Sequence, residues 1–214
     1  MKPDLYIVGA GGFGRELYTW LRSTSAWGRD WTFAGFLDDA PDALDGFDYD
    51  AEVVAPVSGF RCEAGQLFAC GIGNLEMKRK ACGPLIAAGA EFVTVVHDSA
   101  VVGANVQLGA GAVVCPGVLL TSDVEVGAMV LLNLGCTVGH DVKIGRWSTL
   151  SPQSNIGGGV QIGERVFLGA GAIIVPRLSV GDDCLVGAGA VVMRGVKSGQ
   201  KVFGNPARPF DQGP

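Results

Sequence analysis

The chain has two histidines, His97 and His140, and each is followed directly by an aspartate, Asp141 in the case of His140. Imidazole is the side chain whose ordinary titration falls nearest neutral pH, so it can take a proton from an attacking group within one reaction step. An adjacent carboxylate can orient the ring through one of its nitrogens. Asn133 lies seven residues before His140, and Gly158 lies 18 after it (158 − 140). A glycine leaves its backbone N–H uncovered, and such an amide can hold a developing oxyanion. An outward histidine by itself is ordinarily a surface residue, so the reading of His140 as a general base depends on these companions. His97 is expected to be structural, or a cap to a helix.

A second group of residues suits phosphate. Gly9-Ala10-Gly11-Gly12-Phe13-Gly14 is a G-x-G-x-x-G turn between an apolar run, Asp4 to Val8, and an amphipathic stretch, Arg15 to Leu21. Strand, glycine turn and helix together let backbone approach a phosphate at a positive helix end. A second predicted strand, Phe33 to Leu37, ends in Asp38-Asp39, where an acid suits a ribose or base contact. A third, Leu67 to Cys70, runs into Gly71-Ile72-Gly73-Asn74, and a helix is predicted over Leu75 to Ala88. Its Lys78, Arg79 and Lys80 read as a solvated helix face. Glu91 to Val95 reads as a short strand. Trp20, Trp27 and Trp31 read as packing of a small domain. Residues 1–95 offer one mononucleotide-binding half, which argues against a nicotinamide-dependent oxidoreductase.

What must position His140 is a repeat. From residue 96 to 197 the chain follows aliphatic-x-x-x-small-x through 17 units without a break. The first position is always Val, Leu or Ile, from Val96 and Val102 to Val186 and Val192, and the fifth is always small or aliphatic. Six residues do not fit a helical period but do fit a short strand plus a corner. Three sides close one coil, so the period predicts a parallel β-helix with cores at the first and fifth positions. At about 4.8 Å per stacked strand the column is on the order of 25 Å tall. Glycines after the aliphatic residue, such as Gly103, Gly109 and Gly139, are expected to serve a turning backbone. The 18-residue spacing then puts His140 and Gly158 on one edge.

Composition narrows the class. The 214 residues carry a net charge of −5 and only 17% charged side chains, which does not suit a nucleic-acid or membrane-surface protein. The start, MKPDLYIVGAGG, lacks a signal-peptide layout, and no apolar run reaches the length of a membrane span. Six scattered cysteines without a C-x-x-C make zinc or disulfide readings weak, with Cys136 and Cys184 as interior fillers. A cytoplasmic protein with no metal is expected. The expected domains are 1–95, a Rossmann-like α/β half-domain; 96–197, the β-helix; and 198–214, a capping tail.

The hexapeptide column, the closing Gly204-Asn205-Pro206-Ala207-Arg208, and V-G-A-G-G-F-G-R-E, F-L-D-D and G-I-G-N ahead of the column resemble one family over nearly the whole chain. This is the left-handed β-helix sugar acetyltransferases, with the UDP-bacillosamine and GDP-perosamine N-acetyltransferases and the sialic acid O-acetyltransferases. The resemblance implies a left-handed helix, a homotrimer, and acetyl-CoA as cosubstrate. The acceptor it implies is a nucleotide-linked 4-amino-4,6-dideoxy sugar, in polysaccharide or glycan biosynthesis. It implies His140 as general base in direct transfer, with Asp141, where relatives more often have Glu, supporting it. Asn133 would line the acceptor pocket and Gly158 would contact the acetyl carbonyl. Ala170 and Ala188 would hold the pantetheine arm. Gly9, Gly11, Gly12, Asp38 and Gly73 would bind the nucleotide sugar. Thr149 stands where some relatives have a second histidine. O-acetylation of a sugar and a non-catalytic nucleotide-sugar-binding β-helix are the alternatives.

Overall fold

Asp4–Val8 (β1) is the middle strand of a parallel sheet, with Leu5, Ile7 and Val8 fully buried. Thr32–Leu37 (β2), Val53–Ala55 (β3), Gln66–Cys70 (β4) and Glu91–Phe92 (β5) complete it in the order β3-β2-β1-β4-β5. Every pair in it is parallel. The order reverses between β1 and β4, so a crevice opens at their C-terminal ends, where open α/β sheets place ligands. Two helices accompany the sheet, Gly12–Arg22 (α1) and Leu75–Ala87 (α2). Asn74 caps α2, its side chain accepting from the Met77 N–H at 2.9 Å. The structure, a computed structural model, describes residues 2–210; Met1 and residues 211–214, the end of the expected tail, lie outside the described residues. It divides into two units, Met1–Asp98 and Ser99–Pro214.

Three glycines set how tightly the first unit packs. A Cβ on Gly14 would lie 1.9 Å from the Gly9 carbonyl oxygen, and one on Gly71 would lie 2.8 Å from the same atom. β1, α1 and β4 therefore meet through bare backbone. α1 starts at Gly12, three residues before the expected Arg15, because Gly11 takes the extended N-cap conformation. The aromatic residues divide. Trp27 and Trp31 join Tyr18, Phe33 and Phe36, while Trp20 packs edge-on to Phe13 instead. The expected strand over Glu91 to Val95 is broken into Glu91–Phe92 and a separate Val95–Val96. His97 Nε2 lies 3.1 Å from the hydroxyl of Ser23, the residue that caps the C-terminus of α1.

The basic trio of α2 is not one solvated face. Lys78 is 1% exposed, on the same inner face as Cys82 and Leu85, at spacing i, i+4, i+7. Arg79 and Lys80 are exposed.

The second unit consists of two-residue strands stacked in three parallel faces. The first face runs from Val101–Val102 through Leu119–Leu120, Thr137–Val138, Asn155–Ile156 and Ile173–Ile174 to Val191–Val192. The second runs from Gln107–Leu108 to Ser179–Val180, and the third from Val113–Val114 to Leu185–Val186. Each strand pairs with one 18 residues on, as Thr137 with Asn155. First-position side chains fill the axis: Leu120, Leu132, Val138, Leu150, Ile156 and Leu168 are at most 2% exposed. Val102, in the terminal coil, is 42% exposed, because that coil is stacked on one side only. Lys201–Phe203 extends the third face by one more parallel strand, and Arg208–Pro209 folds back on it antiparallel.

The corners correct one expectation. Left-handed φ falls at the fourth position of the units, at Asn105, Asp123, Asp141, Gln153 and Asp183 and at Gly111, Gly135, Gly159 and Gly171. The glycines after the aliphatic residue have no such φ. They are small for another reason: a Cβ on Gly103 would lie 1.9 Å from Thr121 O, and one on Gly139 would lie 2.6 Å from Gly158 N. Those positions allow one coil to sit on the next.

Candidate functional site

The strand Thr137–Val138 ends in a corner made of Gly139, His140 and Asp141, before the second face resumes at Lys143. Parallel register carries this corner onto the one 18 residues later. His140 therefore stacks over Gly158, and the Gly159 N–H donates to the His140 carbonyl at 2.7 Å. Asp141 has φ 58°, which turns its side chain back onto the preceding residue. Its Oδ2 lies 2.7 Å from His140 Nδ1. With an ionised carboxylate there, Nδ1 carries the proton and Nε2 presents a lone pair. Both side chains are 67% exposed, so a substrate can reach them.

Gly158 is where the ring rests. A Cβ at this position would lie 2.5 Å from Nε2 and 2.8 Å from Cε1 of His140. Gly157 donates to Ile174 O and Gly159 to His140 O, whereas the Gly158 N–H between them has no acceptor among the described residues. An imidazole lone pair and an unengaged amide thus lie side by side, which is the pairing a proton acceptor and an oxyanion require.

Asn133, Ala170 and Ala188 lie elsewhere. They occupy the corner between the third and first faces, and His140, Asp141 and Gly158 occupy the corner between the first and second. The Asn133 side chain accepts from the Leu134 N–H at 2.7 Å. Gly189 N donates to Ala170 O at 2.8 Å, so Ala170 and Ala188 stack one coil apart. One chain does not bring this set to the imidazole. Thr149 is a ladder residue of the third face, 2% exposed.

The first unit holds a cavity of about 610 Å3 at the ends of β1 and β4. It is lined by all five residues expected to bind substrate there, Gly9, Gly11, Gly12, Asp38 and Gly73. Asp38 is engaged with the turn itself, its Oδ2 accepting from Ala10 N at 2.7 Å and its Oδ1 from Ala40 N at 3.0 Å. Asp39 accepts from the Ser58 N–H at 2.8 Å and hydroxyl at 2.9 Å. Those two bonds hold its carboxyl below the usual range, and the charge of Lys80 adds to the effect. Sequence reasoning placed Asp38-Asp39 at this strand end but missed Ser58 and Lys80 as lining residues. The available signal for Lys80 was its place on one helix face with Met77, Ala81 and Pro84.

No curated protein matches the sequence. Residues 4–83 match the PglD N-terminal domain, 99–133 the hexapeptide repeat of succinyl-transferase, and 159–194 the bacterial transferase hexapeptide. The chain is similar in structure to the acetyltransferase domain of PglB from Neisseria gonorrhoeae. That likeness has 25% identity and TM-score 0.86, over 98% of this chain and 100% of that one. WeeI from Acinetobacter baumannii is 28% identical with TM-score 0.82, over 97% and 99%. PerB from Caulobacter crescentus, solved with CoA and GDP-perosamine, is 31% identical with TM-score 0.85, over 97% of each chain. The chain belongs to the left-handed β-helix sugar acetyltransferases. This acetyltransferase therefore has a Rossmann-like half-domain followed in the chain by a left-handed column, and the His140 corner is the candidate site of its acyl transfer.

Proposed function

We propose that this acetyltransferase moves the acetyl group of acetyl-CoA onto the amine of a nucleotide-linked 4-amino-4,6-dideoxy sugar. The observation that carries the reading is the His140–Asp141 contact of 2.7 Å against the open amide of Gly158. Similarity to PerB, bound to CoA and GDP-perosamine, supports the pairing of substrates. In this reading the amine nitrogen attacks the thioester carbonyl while Nε2 of His140 takes its proton. The carbonyl oxygen becomes an oxyanion facing the Gly158 N–H. Collapse breaks the C–S bond, CoA leaves and is protonated to the thiol, and the products are the acetamido sugar and CoA. No covalent enzyme intermediate forms. The cavity of the first unit takes the nucleotide, through Gly9, Gly11, Gly12, Asp38 and Gly73.

The working form in this reading is a homotrimer. Outward side chains of the first face are apolar and exposed at Val101 (58%), Leu119 (43%) and Ile173 (40%), with Thr137 and Asn155 as the polar residues between the last two. The second face is polar, with Gln107, Glu125, Lys143, Gln161 and Ser179 outward. Packing the apolar face against a second copy lets the Asn133, Ala170 and Ala188 corner of one chain serve the His140 corner of another, which one chain alone does not achieve. Cytoplasmic nucleotide-sugar chemistry in polysaccharide biosynthesis is the setting. No disulfide joins the six cysteines, and among the described residues no helix is long and apolar enough to cross a membrane.

The test is acetyl-CoA-dependent release of free thiol with nucleotide-linked 4-amino sugars, with free sialic acid as a second acceptor. Turnover only with the amino sugars is expected. His140→Ala should lower kcat by roughly 10²–10⁴ while leaving the oligomer intact. Near-normal turnover by that variant at saturating acceptor would remove the general-base role. Turnover on sialic acid alone would replace N-acetylation with O-acetylation.

A further inference from the structure

We propose that Lys80 is the side chain that neutralises the diphosphate of the bound nucleotide, so that the cavity of the first unit selects nucleoside diphosphates over nucleosides. The inference rests on the nucleotide-sugar reading above and assigns to it a residue that the glycine motif does not predict.

The charge inventory of the cavity motivates it. Its lining carries two acids, Asp38 and Asp39, and one base, Lys80, for a sum of −1 (−2 + 1). A diphosphate entering that space meets net negative charge, and Lys80 is the one cationic side chain among the described lining residues. The glycine turn supplies less than its motif suggests. The Ala10 N–H is already donated to Asp38 at 2.7 Å, which also places a carboxylate at the turn. An anion at the start of α1 therefore gains from the helix end but is repelled by Asp38.

The geometry of α2 supplies the missing cation. Met77, Lys80, Ala81 and Pro84, at i, i+3, i+4 and i+7, form the helix face that lines the cavity. Three of the four are apolar, so the ammonium rises from an apolar wall. Asp39 is the acid it senses across the cavity, yet the two make no direct ion pair among the described residues. Asp39 has both oxygens engaged by Ser58, which keeps it in place. Lys80 is left with a mobile stem and three donors, which suits the several oxygens of a diphosphate.

The experiment is titration calorimetry of the full chain with UDP, GDP, ADP and dTDP, and with the matching nucleosides, on wild type, Lys80→Ala and Lys80→Arg. Wild type should bind at least one diphosphate clearly better than its nucleoside. Lys80→Ala should weaken that diphosphate by about tenfold or more, the worth of a charge-assisted hydrogen bond. It should leave the nucleoside affinity within about twofold, and Lys80→Arg should recover most of the loss. An unchanged melting temperature confirms that the exposed substitution leaves the fold alone. Equal diphosphate affinity in wild type and Lys80→Ala overturns the assignment and leaves the nucleotide reading standing. An equal loss on nucleoside and diphosphate also overturns it, because charge then plays no part. Failure of wild type to bind any of the four diphosphates removes the nucleotide reading together with the inference.

Discussion

The imidazole of His140 fills the space above Gly158 so closely that a single added carbon at 158 would come within 2.5 Å of Nε2. The glycine is therefore the seat of the ring as well as the source of an open amide. Gly158→Ala should tilt or expel the imidazole without straining the backbone, since Gly158 is not among the residues of left-handed φ. We expect kcat to fall by roughly 10²-fold, near the lower end for loss of a general base. The melting temperature should hardly change, because the three atoms nearest the added carbon all belong to the exposed side chain of His140, which can swing away. Turnover and a thermal melt on the same preparation check both halves.

Asp141 combines an orienting bond with a strained backbone position. At φ 58° asparagine is tolerated well and alanine is not. Asp141→Asn keeps the turn and an oxygen that can accept from Nδ1, and removes only the charge. Asp141→Ala removes the acceptor as well and adds about 1 kcal/mol of left-handed strain. The expected order of kcat is wild type, then Asp141→Asn, then Asp141→Ala, with a lowered denaturation midpoint in the last variant alone. Equal activity in all three would show that the 2.7 Å contact does not serve the reaction.

The glycines of G-x-G-x-x-G should not behave alike. A Cβ on Gly14 would overlap the Gly9 carbonyl at 1.9 Å, whereas one on Gly11 meets nothing within 4 Å. Gly14→Ala should destabilise the first unit by about 3 kcal/mol, the upper range for overpacking. Gly11→Ala should fold normally and weaken nucleotide binding instead, since Gly11 lines the cavity. Circular dichroism melts of the two variants distinguish packing from binding within a single motif.

The column was legible because one constraint acts at every unit: an aliphatic residue must fill a narrow axis. The same register placed Gly158 beside His140 by counting. It misplaced the turning residues, since Gly103 and Gly139 are small for contact between coils and the left-handed corners fall two positions later, at Asn105 and Asp141. The same count puts Asn133 and Ala170, 7 and 30 residues from His140, on a different corner, since neither separation is a multiple of 18. What it could not show is how a second chain in the proposed trimer would bring that corner to the imidazole. In the first unit the five expected substrate residues do line one cavity, but Lys78 and Lys80 were hidden. A lysine at i−4 from Cys82 and i−7 from Leu85 belongs to the buried stripe, and charge alone suggested the opposite.

Lys78 gives the enzyme a titration that stability can read. Burial pushes its ammonium down from 10.5 to about 8, and the Cys70 and Cys82 thiols oppose the shift. In the unfolded chain this lysine keeps its proton to about 10.4. Between pH 8 and that value the unfolded state binds more protons than the folded one, so stability rises with pH. Cys70, whose thiol is pushed down chiefly by its 3.6 Å contact with Cys82, contributes with the same sign below its ordinary value of 9.0. Cys82, pushed up chiefly by that same contact, acts oppositely above 9.0. The window from pH 8 to 9 is therefore the one with a single sign. Over it, wild type should gain about 1 kcal/mol relative to Lys78→Met, measured by urea denaturation at each pH. The comparison uses only the change with pH, so any packing or hydrogen-bond effect of the substitution cancels. Parallel pH profiles for the two proteins would mean that Lys78 titrates as an exposed lysine does, and that its burial on α2 is not the state present in solution.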